Sequence, residues 1–282
     1  MNSIINHYKN KEVFLVGGFD SLGVPYTADN TKMKSFIELT ADRLKKMGID
    51  LTYCNISSLG MNKTWELQQV LDKDYTAEYY NRYNQNLSEY VISGKRKEES
   101  WPFPTNPEFV DKFYKVTMDP HEHITTKLRE SEAPIFLYSC GGMNIRQYLK
   151  INSEMTFKDF LLCAREVILR FRKHVRKAKQ DIDSAIKQIS ELNPNMEIYV
   201  LGVYAMLDNQ TLRNLVGPVV RFYNYQLKKI LAPYKNVHYV DITKVKNMVA
   251  PLDMHPTYEG QVYISNQLIK VMDTTCKNKS TD

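Results

Sequence analysis

Residues 14–26 read FLVGGFDSLGVPY. A run of apolar, β-forming residues stops at Gly17 and Gly18, and an acid and a serine come next at Asp20 and Ser21. Two kinds of site begin in this way. A glycine-rich turn can present backbone N–H groups to a phosphate, most effectively where a helix starts directly behind it. The same turn can instead expose a serine hydroxyl as a nucleophile. A short glycine motif is too common to choose between them, so the choice rests on the residues just past the turn and on the groups that the other strand ends supply.

Outward from this stretch, short apolar runs alternate with helical spacing. Glu12 to Val16 predicts a first strand, closed by the two glycines. Lys32 to Met47 predicts a helix, with Met33, Phe36, Ile37, Leu39, Leu44 and Met47 near one face and Gly48 as its stop. Further strands are predicted at Leu51 to Cys54, Ile135 to Tyr138, Glu197 to Leu201 and Val237 to Val240. Apolar positions from Phe160 to Ile189 recur at three and four residues and predict one long amphipathic helix over 157–192, ending before Pro194. Its other face carries Arg165, Arg170, Arg172, Lys173, Arg176, Lys177 and Lys179. Such a face can meet acidic lipid or RNA, and more commonly it is only solvated. Thr211 to Leu231 and Gly260 to Met272 predict two more helices. Strands separated by helices predict a mostly parallel sheet covered on both faces.

Residues 62–130 break the rhythm: they are rich in Tyr, Asn, Lys and Glu and contain WPFPTNP at 101–107. This segment is expected as a helical or looped insertion between the second and third strands, either a cap over the site or a solvated appendage. The 282 residues suit one α/β domain, 1–282, carrying that insertion.

Composition removes several classes. Hydrophobic residues at 43% and charged residues at 25% exclude disordered and fibrous chains. The net charge of +6 falls largely on the long basic helix and does not argue for nucleic acid as a partner. The longest apolar runs, such as Val13 to Val16, fall far short of the about 20 residues of a membrane helix. Lys9, Lys11 and Glu12 interrupt the amino-terminal stretch where a secretory signal needs an unbroken apolar region, so the chain reads as cytoplasmic. Cys54, Cys140, Cys163 and Cys276 have neither CxxC nor zinc spacing and read as free thiols. The HEH at 121–123 is too compact for a helical zinc pair, and no metal or organic cofactor is expected.

The phosphate reading of the glycine turn is the weaker one. Gly23 and Pro25 come within four residues of Ser21, and Pro25 disfavours a helical conformation at Val24. The pattern Ser-Gly-Gly-x-Asp-Ser of ATP pyrophosphatases is incomplete, because Val16 stands where its first serine belongs.

A serine nucleophile needs a base, a group that orients the base, and donors for the oxyanion of a tetrahedral intermediate. PLDMHPTYEG, residues 251–260, places Asp253 two residues before His255 on a proline-stiffened segment leading into the last helix. That spacing lets Asp253 fix the imidazole tautomer while the other ring nitrogen faces Ser21. NISSLGMNKT after the second strand offers the N–H of Gly60, and SCGGMN after the third offers the side-chain amide of Asn144. In a parallel sheet all of these lie beyond carboxyl ends of strands, where ligands bind in open α/β folds.

Together the four blocks resemble the SGNH hydrolases, also called the GDSL esterase/lipase family. The family's serine, glycine, asparagine and histidine match Ser21 in FDSLG, Gly60 in NISSLGMNKT, Asn144 in GGMN and His255 in DMHPT, and Asp253 matches its acid. EIYVLGVY at 197–204 and Asn224 also resemble elements found between the third and last blocks. The resemblance spans residues 14 to about 272 and implies a three-layer α/β/α sandwich with a flavodoxin-like five-stranded sheet. It further implies a carboxylic ester hydrolase acting through an acyl-enzyme on a small-molecule ester, with the N–H groups of Ser21 and Gly60 and the Asn144 amide as the oxyanion hole. The chain departs from the family pattern at Phe19, where a glycine is usual, and at Ile145, where an aspartate commonly comes after the asparagine. Those departures keep a second expectation open, a non-catalytic binding protein on the same fold.

Overall fold

The computed structural model describes residues 2–19, 22, 33–57, 124–139, 173, 176–177, 179–205, 210–249 and 255–279. In chain order these form α1 (Asn2–Tyr8), β1 (Val13–Phe19), α2 (Phe36–Lys46), β2 (Leu51–Asn55), α3 (Ile124–Glu130), β3 (Ala133–Ser139), a helical stretch α4 over 179–192, β4 (Glu197–Leu201), α5 (Gln210–Leu231), β5 (Val237–Val240), a 3-10 turn (Thr243–Asn247) and α6 (Tyr258–Lys279). The strands make one sheet in the order β2-β1-β3-β4-β5, and every neighbouring pair is parallel. This is the flavodoxin-like order, in which the chain reverses its direction of travel between β1 and β3.

Both faces of the sheet are buried, and the alternation of side chains along each strand divides the core in two. Val13, Leu15, Leu51, Ile135, Leu137, Tyr199, Leu201 and Val240 meet Ile4 of α1, Phe36, Ile37, Ala41 and Leu44 of α2, and Ile264, Leu268 and Met272 of α6. Their strand neighbours Phe14, Val16, Cys54, Phe136, Tyr138, Ile198 and Val200 meet Ile124 and Leu128 of α3, Ile182, Ala185, Ile186 and Ile189 of α4, and Tyr223, Leu227 and Ile230 of α5. Each fully buried aliphatic side chain contributes about 1.5–3 kcal/mol, so continuous apolar runs such as PIFLY in β3 are what two covered faces require.

Several boundaries differ from the sequence expectation. β1 does not close at its glycines: Gly17 pairs with Asn55 and Leu137, and the strand continues through Gly18 to Phe19. Pairing with β2 and β3 sustains it at Gly17 and pairing with β3 beyond, and Gly17 is a packing device, since a Cβ on it would lie 2.7 Å from Ile37. α2 starts later than Lys32 because Ser35 caps it: its hydroxyl accepts from the Glu38 N–H, and the Glu38 carboxylate accepts from the Ser35 N–H. Gly48, at φ 83°, stands just past its end as expected. α5 carries Pro218 inside it, and α6 runs to Lys279 rather than Met272 because its last turns pack on α1. The segment 62–123 and most of 157–178 lie outside the described residues. Among the described residues, Cys54 and Cys276 are buried cysteines outside any disulfide, and no helix is long and apolar enough to cross a membrane.

Candidate active site

Because the sheet is parallel throughout, the carboxyl ends Phe19, Asn55, Ser139, Leu201 and Val240 share one edge. In open α/β sheets the crevice outside this edge, at the point of reversal, receives the ligand. Here that point is the β1/β3 junction, where the Ser139 hydroxyl donates to the Gly18 carbonyl at 3.0 Å. Gly18 has φ 112°, a left-handed conformation that admits little but glycine, and its α-carbon is pressed against the backbone and hydroxyl of Ser57. The chain thus leaves β1 wedged between the ends of its two neighbours.

His255 is the one residue of the sequence-derived site that the structure describes. Ser21, Gly60, Asn144 and Asp253 lie outside the described residues, as does the HEH at 121–123. The flanks of each are nevertheless informative. β1 ends at Phe19, two residues before Ser21, and Leu22, immediately after Ser21, is buried in the core shared by α2 and α6. β2 ends at Asn55, five residues before Gly60, and β3 ends at Ser139, five before Asn144.

His255 is buried, with 6% of its surface exposed, at the head of α6. The segment around it is held from several directions. Pro256 forms an isolated antiparallel bridge with Val249. The N–H and hydroxyl of Thr257 both donate to the Met248 carbonyl, at 2.8 and 3.0 Å, and the same hydroxyl accepts from the Gly260 N–H at 3.3 Å, as a helix cap does. Gly260 has no room for a side chain: a Cβ there would lie 2.7 Å from Pro256 and 2.9 Å from the Met248 carbonyl. HPTYEG is therefore a rigid entry into a helix. Asp241, just beyond β5, accepts from both the N–H and the hydroxyl of Thr243 and shapes the turn that leads to this segment.

Polar side chains to which the sequence patterns assign no role tie these ends together. Gln261, 1% exposed, donates through Nε2 to the Leu22 carbonyl at 2.9 Å and accepts at Oε1 from the Phe36 N–H at 2.8 Å. Asn55 uses both ends of its amide, accepting from the Ser57 N–H at 2.9 Å and donating to the Ser35 hydroxyl at 3.3 Å. Asn224 of α5 brackets Val203 beyond β4, accepting from its N–H at 2.8 Å and donating to its carbonyl at 2.7 Å. A signal for Gln261 was present: it is a polar residue on the apolar stripe formed by Ile264, Leu268 and Met272. Nearby, burial and then the Asp241 charge push the phenol of Tyr239, which packs across Gly202, well above its ordinary range.

No protein-family model matches this chain, and no curated protein sequence matches it. Solved structures do. An extracellular lipase from Streptomyces rimosus superposes with a TM-score of 0.54 at 12% identity, over 93% of this chain and 99% of the lipase. The lipase Lip_vut3 from a goat rumen metagenome gives 0.55 at 12% identity, over 92% and 97%. A protein from Parabacteroides merdae described as a GDSL-like lipase gives 0.52 at 12% identity, over 94% and 96%. The chain has the fold of the GDSL, or SGNH, hydrolases.

Proposed function

We propose that this chain is a carboxylic ester hydrolase that works through an acyl-enzyme on Ser21. The Ser21 hydroxyl attacks the ester carbonyl while His255 takes its proton; the tetrahedral intermediate collapses, and His255 returns the proton to the leaving alcohol. A water, deprotonated by His255, then releases the acid and restores Ser21. Asp253 orients the imidazole and stabilises its charged form, and the N–H groups of Ser21 and Gly60 with the Asn144 amide receive the oxyanion.

One observation carries the reading. Buried His255 lies three residues before α6, and Gln261, the fourth residue of that helix, bonds the carbonyl of Leu22, the residue directly after Ser21. Two segments more than 230 residues apart in sequence thereby meet at the carboxyl edge of the sheet. The likeness in fold to lipases supports the same chemistry, with the alcohol and acyl parts undetermined by fold. The substrate proposed is a small acyl ester, with acetyl esters of carbohydrates and short-chain lipid esters as the first panel. The departures at Phe19 and Ile145 motivate the competing reading, a non-catalytic acyl-ligand binder.

Intact mass after treatment with a fluorophosphonate decides between them. Stoichiometric labelling of the wild type, lost in Ser21→Ala and His255→Ala, is the expected result. Absence of labelling in folded wild type, together with binding of an acyl ligand that Ser21→Ala leaves unchanged, establishes the binder instead. Stabilisation against heat by ATP would reopen the nucleotide reading of GGFDS.

A further inference from the structure

We infer that Gln261 is a positioning residue for this hydrolysis, a proposal that rests on the ester-hydrolase reading. Its amide is the direct link between the chain just past the nucleophile and the helix just past the base. Nε2 donates to the Leu22 carbonyl at 2.9 Å, and Oε1 accepts from the Phe36 N–H at 2.8 Å. The residue is 1% exposed, and its own N–H is engaged by the Thr257 carbonyl at 2.9 Å, two residues after His255.

The geometry makes the amide more than interior packing. A side chain on an apolar helix face would ordinarily be aliphatic, and burying an amide is tolerated only when both its ends are bonded. Here both ends are, and each bond goes to backbone of another segment: the Leu22 carbonyl beyond β1 and the Phe36 N–H in the first turn of α2, where helical N–H groups have no partner within their own helix. α6, α2 and the exit of β1 are therefore fixed to one another at a single point. Leu22 fixes the depth of this junction, because it is 4% exposed and packed in the core between α2 and α6. A shift of α6 moves His255 and Leu22, the residue after Ser21, together as long as the amide holds. Without it the two segments move independently, and a displacement near 1 Å at a reacting group costs about 100-fold in rate.

A second polar pair in the same interface provides the control. The hydroxyls of Thr40 and Ser265 lie 3.1 Å apart, one turn further along α6, and the Thr40 hydroxyl also donates to the Phe36 carbonyl at 2.6 Å. Loss of the pair destabilises the α2–α6 contact without releasing Leu22.

The test compares Gln261→Met, which preserves length and removes donor and acceptor, with Ser265→Ala. With a short-chain p-nitrophenyl ester, Gln261→Met is expected to lower kcat about 10- to 100-fold with KM within about threefold, and to slow fluorophosphonate labelling in parallel. Ser265→Ala is expected to lower the unfolding temperature while labelling at the wild-type rate. Gln261→Glu keeps the acceptor for Phe36 and offers a donor to Leu22 only when protonated, so its labelling rate relative to wild type should rise as pH falls. That series carries the test if Gln261→Met does not fold. Wild-type kcat in Gln261→Met, an equal loss in Ser265→Ala, or a pH-independent ratio for Gln261→Glu overturns the positioning role and leaves the hydrolase standing. Wild type that neither labels nor turns over overturns both.

Discussion

The backbone of Gly18 lies so close to Ser57 that a Cβ on Gly18 would overlap the Ser57 hydroxyl oxygen and stand 2.6 Å from its backbone nitrogen. The neighbour is backbone as well as side chain, and it cannot retreat, because the Ser57 N–H is held by Asn55. The φ of 112° at Gly18 adds strain for any other residue. Gly18→Ala should therefore cost about 3 kcal/mol, read as a lower midpoint in urea unfolding. A midpoint within error of wild type would mean that the β1 exit is not wedged as described.

Asn224 bonds both backbone polar groups of buried Val203, its N–H and its carbonyl, just past β4. Asn224→Ala leaves that N–H and carbonyl without their partners in a site too enclosed to rehydrate fully. A loss of about 2–4 kcal/mol is expected in chemical denaturation. Asn224→Asp retains only the acceptor and should fall between the two.

The opposite edge of the sheet predicts the acid response of stability. Burial pushes the Glu197 carboxyl up, but hydrogen bonds from His238, whose Nε2 lies 2.6 Å away, and from Lys279 outweigh it and hold the group below its ordinary value of 4.5. A carboxylate can only accept, so Nε2 of His238 carries the proton. A group depressed on folding contributes stability that is present above its unfolded pKa and is lost as pH falls through the folded one. Wild type should thus lose stability progressively below about pH 4.5. Glu197→Gln should cost about 2 kcal/mol at pH 7 and flatten the profile in thermal melts between pH 6 and 3. An unchanged acid slope in the variant would assign the acid response to other carboxylates.

Asn144→Ala, at the proposed oxyanion hole, should lower kcat about 10²- to 10³-fold with the unfolding temperature unchanged. Turnover on the ester that proves best for wild type is the measurement. A variant of wild-type activity would remove Asn144 from the site.

How far the sequence can be read depends on whether the deciding interaction is local. β4 and β5 occur where their apolar runs predict them, because buried parallel strands write themselves as continuous apolar runs. For β1 the sequence predicts a stop at Gly17, since glycine weakens an isolated strand, whereas pairing with β3 carries it to Phe19. Nothing in the sequence announces α1: seven residues with only Ile4 and Tyr8 buried are too short for a helical signal, and α6 is what covers them.

By itself, the sequence determined the fold class and a set of candidate groups. The period-2 and period-3.6 patterns are local consequences of burial, and the order of the SGNH-like blocks is covalent. The flavodoxin-like strand order was expected from the resemblance and is found, whereas the wedge at Gly18 and Ser57 and the amide of Gln261 joining Leu22 to the helix after His255 were decided only by tertiary structure. Each is a contact between residues dozens to hundreds of positions apart, and hydrogen-bond reach and hard-core exclusion act over ångströms of space that no spacing in sequence encodes.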